Sequence, residues 1–235
     1  MRKFVLCLVM VLTFASPAAA CIGARQAAMG WCGVAIANDA SVAYWNPSRI
    51  PFLDSQASLD VFISTYYNAP RLWYTSQSFI NGKNIGVTHG VSLNREYFMF
   101  SYAYALSDRF ALSTGLSFDF NSREYQGNGL LLSGTYQGDK FTFACLAQDM
   151  NIRPSVAITT SLLGICFEVY DMLNHYGFQH VRVGGQFILG PIFISSGYNT
   201  KEQYATFGVG ININEYTVCL SALNDIYGLS INNVF

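Results

Sequence analysis

A chain of 235 residues with a formal net charge of -1 has no electrostatic means of capturing nucleic acid. Only 11% of its residues are charged, against about 25% in soluble domains, while 51% are hydrophobic and 15% aromatic. Past the amino terminus no apolar run reaches the ~18 residues of a membrane-spanning helix, which argues against a helical membrane protein and leaves strands as the means of crossing a bilayer.

The chain begins with Arg2 and Lys3, continues through an apolar stretch from Phe4 to Phe14, and reaches small residues at Ala18, Ala19 and Ala20. These are the basic start, apolar middle and cleavage site of a bacterial secretory signal peptide, so residues 1–20 are expected to be removed and the mature chain to start at Cys21. Lipid attachment at Cys21 is the alternative. Against it, Ala18 stands three places upstream, where a lipoprotein signal favours Leu.

Residues 21–55 are rich in Ala and Gly and show no alternation. Within them, Gly23-Ala24-Arg25, Met29-Gly30, Val34-Ala35, Ala37, Asp39-Ala40-Ser41 and Tyr44-Trp45-Asn46-Pro47 together resemble the amino-terminal signature of FadL-like outer-membrane proteins, especially the PorV/PorQ branch. A looser likeness continues through Tyr104 to Phe118 and Gly197 to Gly210. Two departures stand out: Gly30-Trp31-Cys32 replaces the family's Gly-Gly-Ala, and Ser48-Arg49 follows Asn46-Pro47 where the family has Ala-Gly. The resemblance implies a barrel whose leading segment folds back into the lumen as a hatch or plug. Gly23, Met29, Gly30, Asp39, Ala40, Trp45, Asn46 and Pro47 are by that analogy its hatch positions. The other reading is that residues 21–55 merely cap the periplasmic mouth.

From Gln56 to Phe235 short runs of alternating apolar and polar residues are broken by turns, the pattern of an all-β, antiparallel, up-and-down transmembrane β-barrel. Strands are predicted at 56–67, 70–80, 84–94, 96–106, 110–121, 128–137, 140–148, 155–161, 164–171, 176–188, 191–198, 203–212, 215–224 and 226–235. That gives about 14 strands, an even number as single-chain bacterial barrels require. A barrel of this size has an interior that side chains alone do not fill, since about 8 strands already make a filled one. Residues 21–55 are the available filling. A soluble β-sandwich is the competing reading of the alternation, but it leaves the low charge unexplained.

If the first strand leaves the periplasm, the periplasmic turns fall at Asn81 to Lys83, Ser107 to Arg109, Gln137 to Asp139, Leu162-Leu163, Leu189-Gly190 and Ile213-Asn214. The opposite connections are Asn121 to Gly127, Asp149 to Pro154, Met172 to His175 and Asn199 to Glu202, with Asn121 to Gly127 expected to be the longest. Pro70, Pro154 and Pro191 are assigned to connections, because proline breaks a ladder. Inside strands the predicted charges are Asp60, Asp119, Glu168 and Arg182. With His180 and Gln186 they form the candidate polar wall of the lumen, since a charge on the lipid face is costly. His89 breaks the pattern by sharing parity with Ile85, Val87 and Val91, which suggests a register slip. In the last strand Tyr227, Leu229, Ile231 and the terminal Phe235 share one face, a signature for docking on the barrel-assembly machinery.

Chemistry-bearing motifs are scarce. No phosphate loop, Cys-x-x-Cys pair or metal-spaced His cluster appears, so no cofactor and no metal is expected, and the chain is read as a non-enzyme. Hydrolysis would need a Ser oriented by His, and of the three His only His180 has lumen parity. Cys145, Cys166 and Cys219 read as small apolar fillers, and a Cys21–Cys32 disulfide is disfavoured. The expected partners are outer-membrane lipid, the assembly machinery, and either hydrophobic small molecules or secreted proteins, with no nucleic acid. The resemblance implies an outer-membrane barrel supporting transport or protein secretion. A FadL-type channel for hydrophobic molecules such as long-chain fatty acids is one specific form of it, and a purely structural surface barrel is another.

Overall fold

The computed structural model of the protein describes residues 23–64, 69–80, 83–91, 95–121, 124–175, 177, 179–201, 203–224 and 226–234. The expected signal segment (residues 1–20), Cys21 and Phe235 lie outside them. Fourteen strands form one closed ring: β1 (Gln56–Ser64), β2 (Ala69–Ile80), β3 (Lys83–Val91), β4 (Arg95–Ala105), β5 (Phe110–Asn121), β6 (Glu124–Gln137), β7 (Phe141–Gln148), β8 (Asn151–Thr159), β9 (Leu163–Tyr170), β10 (His180–Leu189), β11 (Ile192–Asn199), β12 (Tyr204–Ile213), β13 (Tyr216–Leu223) and β14 (Ile226–Val234). Each strand pairs antiparallel with the next, and β1 closes on β14 with Gln56 opposite Val234 and Ser64 opposite Ile226. Closure leaves no edge with unpaired backbone groups.

The alternation resolves into two faces of opposite character. Along β5, Leu112 and Leu116 point outward and remain exposed, while Ala111, Ser113 and Ser117, of the opposite parity, are buried. β6 repeats this, with Leu130 and Leu132 outside and Leu131, Ser133 and Thr135 inside. The outward set around the ring includes Phe143, Ile165, Phe167, Phe187, Ile194, Phe207, Val209, Leu220 and Tyr227, all exposed large apolar side chains. In water such a surface would be a severe aggregation liability, whereas against acyl chains it is the solvated face. The last strand follows the same phase, with Gly228, Ser230 and Asn232 buried and Tyr227 exposed.

Several sequence expectations are corrected at the connections. Asn121 to Gly127 is not a long loop: β5 runs to Asn121 and β6 starts at Glu124, with a register shift at Asp119/Phe120 absorbing the irregularity. The longest connection between strands instead runs from Asp171 to Gln179, because β10 begins only at His180. Between β7 and β8 the chain turns on Asp149 and Met150, both at positive φ (51° and 69°), as a two-residue hairpin demands. Pro154 therefore lies inside β8 rather than in a connection. It pairs with Cys145 on the β7 side, while the β8–β9 ladder begins one residue later at Ser155, so its missing amide interrupts no bond. Pro70 sits similarly at the second residue of β2, beyond the β2–β3 ladder that starts at Leu72.

His89 shows no slip. It pairs with Phe98 in regular register, stacks on that ring at 4.1 Å and bonds Glu96 Oε1 at 2.9 Å. Its place near the end of β3 puts an outward polar group beside the rim rather than at mid-bilayer, where the cost of a polar side chain on the lipid face is small.

The outward face sets a depth-dependent test. Leu116→Arg, in the middle of β5, is expected to destabilise the barrel by about 2–4 kcal/mol, and Leu106→Arg, just past the end of β4, by about 0–1 kcal/mol. Denaturant titration of the folded, heat-modifiable form in lipid vesicles measures both.

Candidate functional site

What fills the ring is the chain's own beginning. After β1 is traced back, the preceding residues form α1 (Ala24–Ala28), α2 (Val42–Trp45) and a 3-10 turn (Pro47–Phe52). Nearly all of Gly23 to Ile50 is buried, with only Asn38 exposed and Arg25, Asp39 and Tyr44 intermediate. The side chains that bury this segment are the inward sets of the strands, so it occupies the lumen. Its abundance of Ala and Gly allows backbone to approach wall closely.

The closest approach is at β10, β11 and β12. Gly184 and Gly197 are cross-strand partners, and a Cβ on Gly197 would lie 2.1 Å from the Met29 carbonyl carbon. On Gly208 it would lie 2.4 Å from Ala28 Cβ, and on Gly184 2.5 Å from Met29 O. These three glycines form a furrow that receives the turn after α1. Gly30 itself has φ 69° and faces the Tyr198 backbone, so it needs glycine for both conformation and room. Thr206 on β12 fixes the turn by donating to Ala28 O at 2.7 Å and accepting from Gly30 N at 2.9 Å.

The strongest attachment is to β8, β9 and β10. Glu168, fully buried, accepts the Gly33 and Val34 amides on Oε2, each at 3.1 Å. Its Oε1 accepts from Arg153 Nη2 at 2.6 Å, Arg153 Nε at 3.0 Å and Arg182 Nη1 at 3.2 Å. Arg182 Nη1 also donates to Trp31 O at 3.1 Å. Two residues before Glu168 on the same face, Cys166 forms a disulfide with Cys32, with Cα atoms 6.3 Å apart. Cys166 is thus not an apolar filler, and Cys32 pairs across 134 residues of sequence rather than with Cys21. Between Gly30 and Cys32, Trp31 holds φ 64°, a left-handed conformation that is unusual for a bulky residue and persists only where the surroundings impose it.

The second half of the segment meets the wall through neutral hydrogen bonds, with Asp39 bonding within the segment. Asn46 Nδ2 donates to Val34 O and to Thr135 Oγ1, both at 2.7 Å. Ser48 Oγ donates to Asn46 Oδ1 at 2.6 Å, and Ser48 N donates to Ser133 Oγ at 3.2 Å. The Ala40 amide donates to Asn232 Oδ1 at 3.0 Å. Asp39 accepts from Gln26 Nε2 at 3.2 Å and from the Ser41 amide at 3.0 Å.

Toward the strand ends that carry Arg153 and His180, the segment presents rings. Trp31 meets Phe62 with centroids 5.8 Å apart, and Tyr44 meets Trp45 at 5.4 Å and Tyr97 at 6.1 Å. The Arg153 guanidinium lies 5.1 Å from both the Trp45 and Tyr170 rings, and that of Arg182 lies 4.4 Å from Tyr170. The result is an aromatic layer braced by cations. At the other end Arg25 bonds Asn38 Oδ1 and Gln186 Oε1 and lies over Phe193. Burial pushes the Arg49 guanidinium down to about 10, with neighbouring Arg25 acting in the same direction. It therefore stays protonated at neutral pH and donates to Ala35 O.

Glu168, Arg182 and His180 are brought together, with His180 Nε2 3.3 Å from Arg182 Nε and its ring 4.5 Å from that of Tyr170. Gln186 is on the same strand at the Arg25 end. Asp60 lies apart on β1, fully buried, with Ser58 Oγ 3.1 Å from Oδ2. Asp119 is only partly buried, beside the β5–β6 register shift. Sequence reasoning missed Arg153 by assigning it to a loop ahead of Pro154. Extending the alternation through that proline to Asn151 would have placed Arg153 in phase with Ser155 and Ala157, both buried.

No protein-family model matches the chain, and no curated protein matches it. Among solved structures it is similar to the CymD monoaromatic hydrocarbon channel, with 11% identity and a TM-score of 0.62 over 91% of this chain and 97% of that one. It is similar also to the Pseudomonas putida toluene transporter TodX, with 10% identity and a TM-score of 0.60 over 91% and 96%. What the chain shares with these two proteins is the fold, a closed antiparallel β-barrel.

Two substitutions and one control probe the anchors. Gly197→Ala forces a methyl group onto the Met29 backbone and is expected to cost about 1–3 kcal/mol, whereas Gly134→Ala, whose added carbon would meet only the flexible Leu112 side chain at 3.2 Å, is expected to be nearly neutral. Glu168→Gln removes the carboxylate charge paired with the buried Arg153 and the partly buried Arg182 guanidinium groups, and a loss of about 3–5 kcal/mol is expected. Thermal unfolding followed by gel mobility measures all three.

Proposed function

We propose that the protein is an outer-membrane channel for small hydrophobic molecules, with the segment from Gly23 to Phe52 acting as the hatch of its lumen. The observation that carries this reading is the occupied lumen: a segment packed against the inward face of the ring, whose Trp31, Tyr44 and Trp45 form an aromatic layer with Phe62 and Tyr97 of the wall. Rings packed at 5–6 Å suit an apolar solute better than a hydrated ion. The fold shared with a hydrocarbon channel and a toluene transporter over more than nine-tenths of the chain supports the same class. Arg153 lies over the Trp45 and Tyr170 rings and Arg182 over Tyr170, bracing one side of the layer by cation–π contact.

A second reading is favoured by the amino-terminal block itself. Gly23 to Pro47 resembles the PorV/PorQ signature, which supports docking of secreted proteins on the barrel. Crosslinking in cells that recovers a secreted protein bound to the Asp171–Gln179 connection would favour docking, and recovery of none would remove its support.

For passage, purified barrel in liposomes is expected to take up radiolabelled toluene or a long-chain fatty acid with saturable kinetics. Removing residues 23–52 is expected to abolish saturation and leave only leak. Uptake by the intact barrel no faster than in empty liposomes would overturn the reading.

A further inference from the structure

The four consecutive residues Trp31 to Val34 carry an unusual concentration of fastenings. Cys32 is covalently bound to β9, the Gly33 and Val34 amides bond the Glu168 carboxylate on the same strand, and the Trp31 carbonyl accepts from Arg182 on β10. Trp31 is held in a left-handed conformation between a glycine and the bridged cysteine, a geometry that an untethered chain would abandon. The other anchors are hydrogen bonds only: neutral ones at Thr206, Thr135, Ser133 and Asn232, and that of the Arg25 guanidinium to Gln186.

We infer that the Cys32–Cys166 bond is a covalent lock that makes Trp31–Val34 a fixed part of the wall, so that the lumen opens by local movement of the flanking stretches, never by expulsion of the segment, and that breaking the bond converts the barrel to a freely opening pore. This deepens the channel reading and rests on it only in assuming a lumen that can open. The lock follows from where the bond lies. Both cysteines are fully buried, and the bond ties the segment to a strand that is itself hydrogen-bonded into the ring on both sides. Ejection would have to carry β9 with it. A dithiol releases the lock by thiol–disulfide exchange: its two sulfurs become joined, and its two electrons and two protons pass to Cys32 and Cys166 as two thiols.

The experiment uses the full barrel in planar bilayers with potassium chloride, and trypsin, which cuts after Arg25 or Arg49 once the segment leaves the lumen. Mass spectrometry of the unreduced protein should yield a peptide joining Cys32 to Cys166. The oxidised protein should show low conductance and resist trypsin at both arginines. Cys32→Ser/Cys166→Ser is expected to raise the open-state population roughly thirtyfold or more, in keeping with the lower range of what a native disulfide contributes, and to expose both sites to trypsin. Should this variant fail to fold, judged by heat-modifiability, wild-type barrel folded first and then treated with dithiothreitol gives the same comparison. Two unlinked thiols in the native protein, or conductance and trypsin resistance unchanged once the bond is absent, would overturn the lock. Neither readout involves hydrocarbon. A barrel that opens on loss of the bond but takes up no toluene keeps the lock and removes the channel reading.

Discussion

A backbone amide or carbonyl left unpaired in hydrocarbon costs several kcal/mol, and this chain satisfies the constraint by closing β1 onto β14. Everything else follows from that closure. The ring forces each strand to present one face to lipid and the other to the lumen, so Leu112 and Leu116 alternate with Ser113 and Ser117. It also sets the size of the interior. Fourteen strands enclose more space than their inward Ser, Thr, Gly and Ala side chains fill.

The leading segment meets that second demand through close packing rather than bulk. Where α1 ends, the wall supplies Gly184, Gly197 and Gly208 in place of side chains, so helix and strand meet backbone to backbone. Where the segment has polar groups to satisfy, the wall supplies Thr206, Thr135, Asn232 and Glu168. Glu168 is the most demanding of these. A fully buried carboxylate is tolerable only because two guanidinium groups and two amides converge on it.

Trp31 and Cys32 show how one local departure from a family-like motif changes the structure's logic. The motif this region resembles has glycine at the position where Trp31 adopts φ 64°, a conformation glycine takes freely. The bulky ring costs backbone strain but packs on Phe62, and the next residue bonds covalently to β9. Strain and tether occur together because the tether, with Arg182 on the Trp31 carbonyl, over-determines the backbone there.

The sequence by itself determined the ring and its phase. Period-two alternation is a local property, fixed by the pleat, so the fourteen strands and both faces of β5 and β14 were legible before any contact was known. Proline hid Arg153 only because a donor missing from a ladder reads locally as a break, and whether the ladder needs that donor depends on where the neighbouring strand begins. Tertiary structure alone decided the fastenings. Cys32 and Cys166 are 134 residues apart, and nothing in either neighbourhood indicates that β9 returns to face the segment before β1. The convergence of Arg153 and Arg182 on one carboxylate, and the alignment of three wall glycines beneath Ala28 and Met29, likewise depend on cross-strand register and closure, which join residues that the chain order keeps apart.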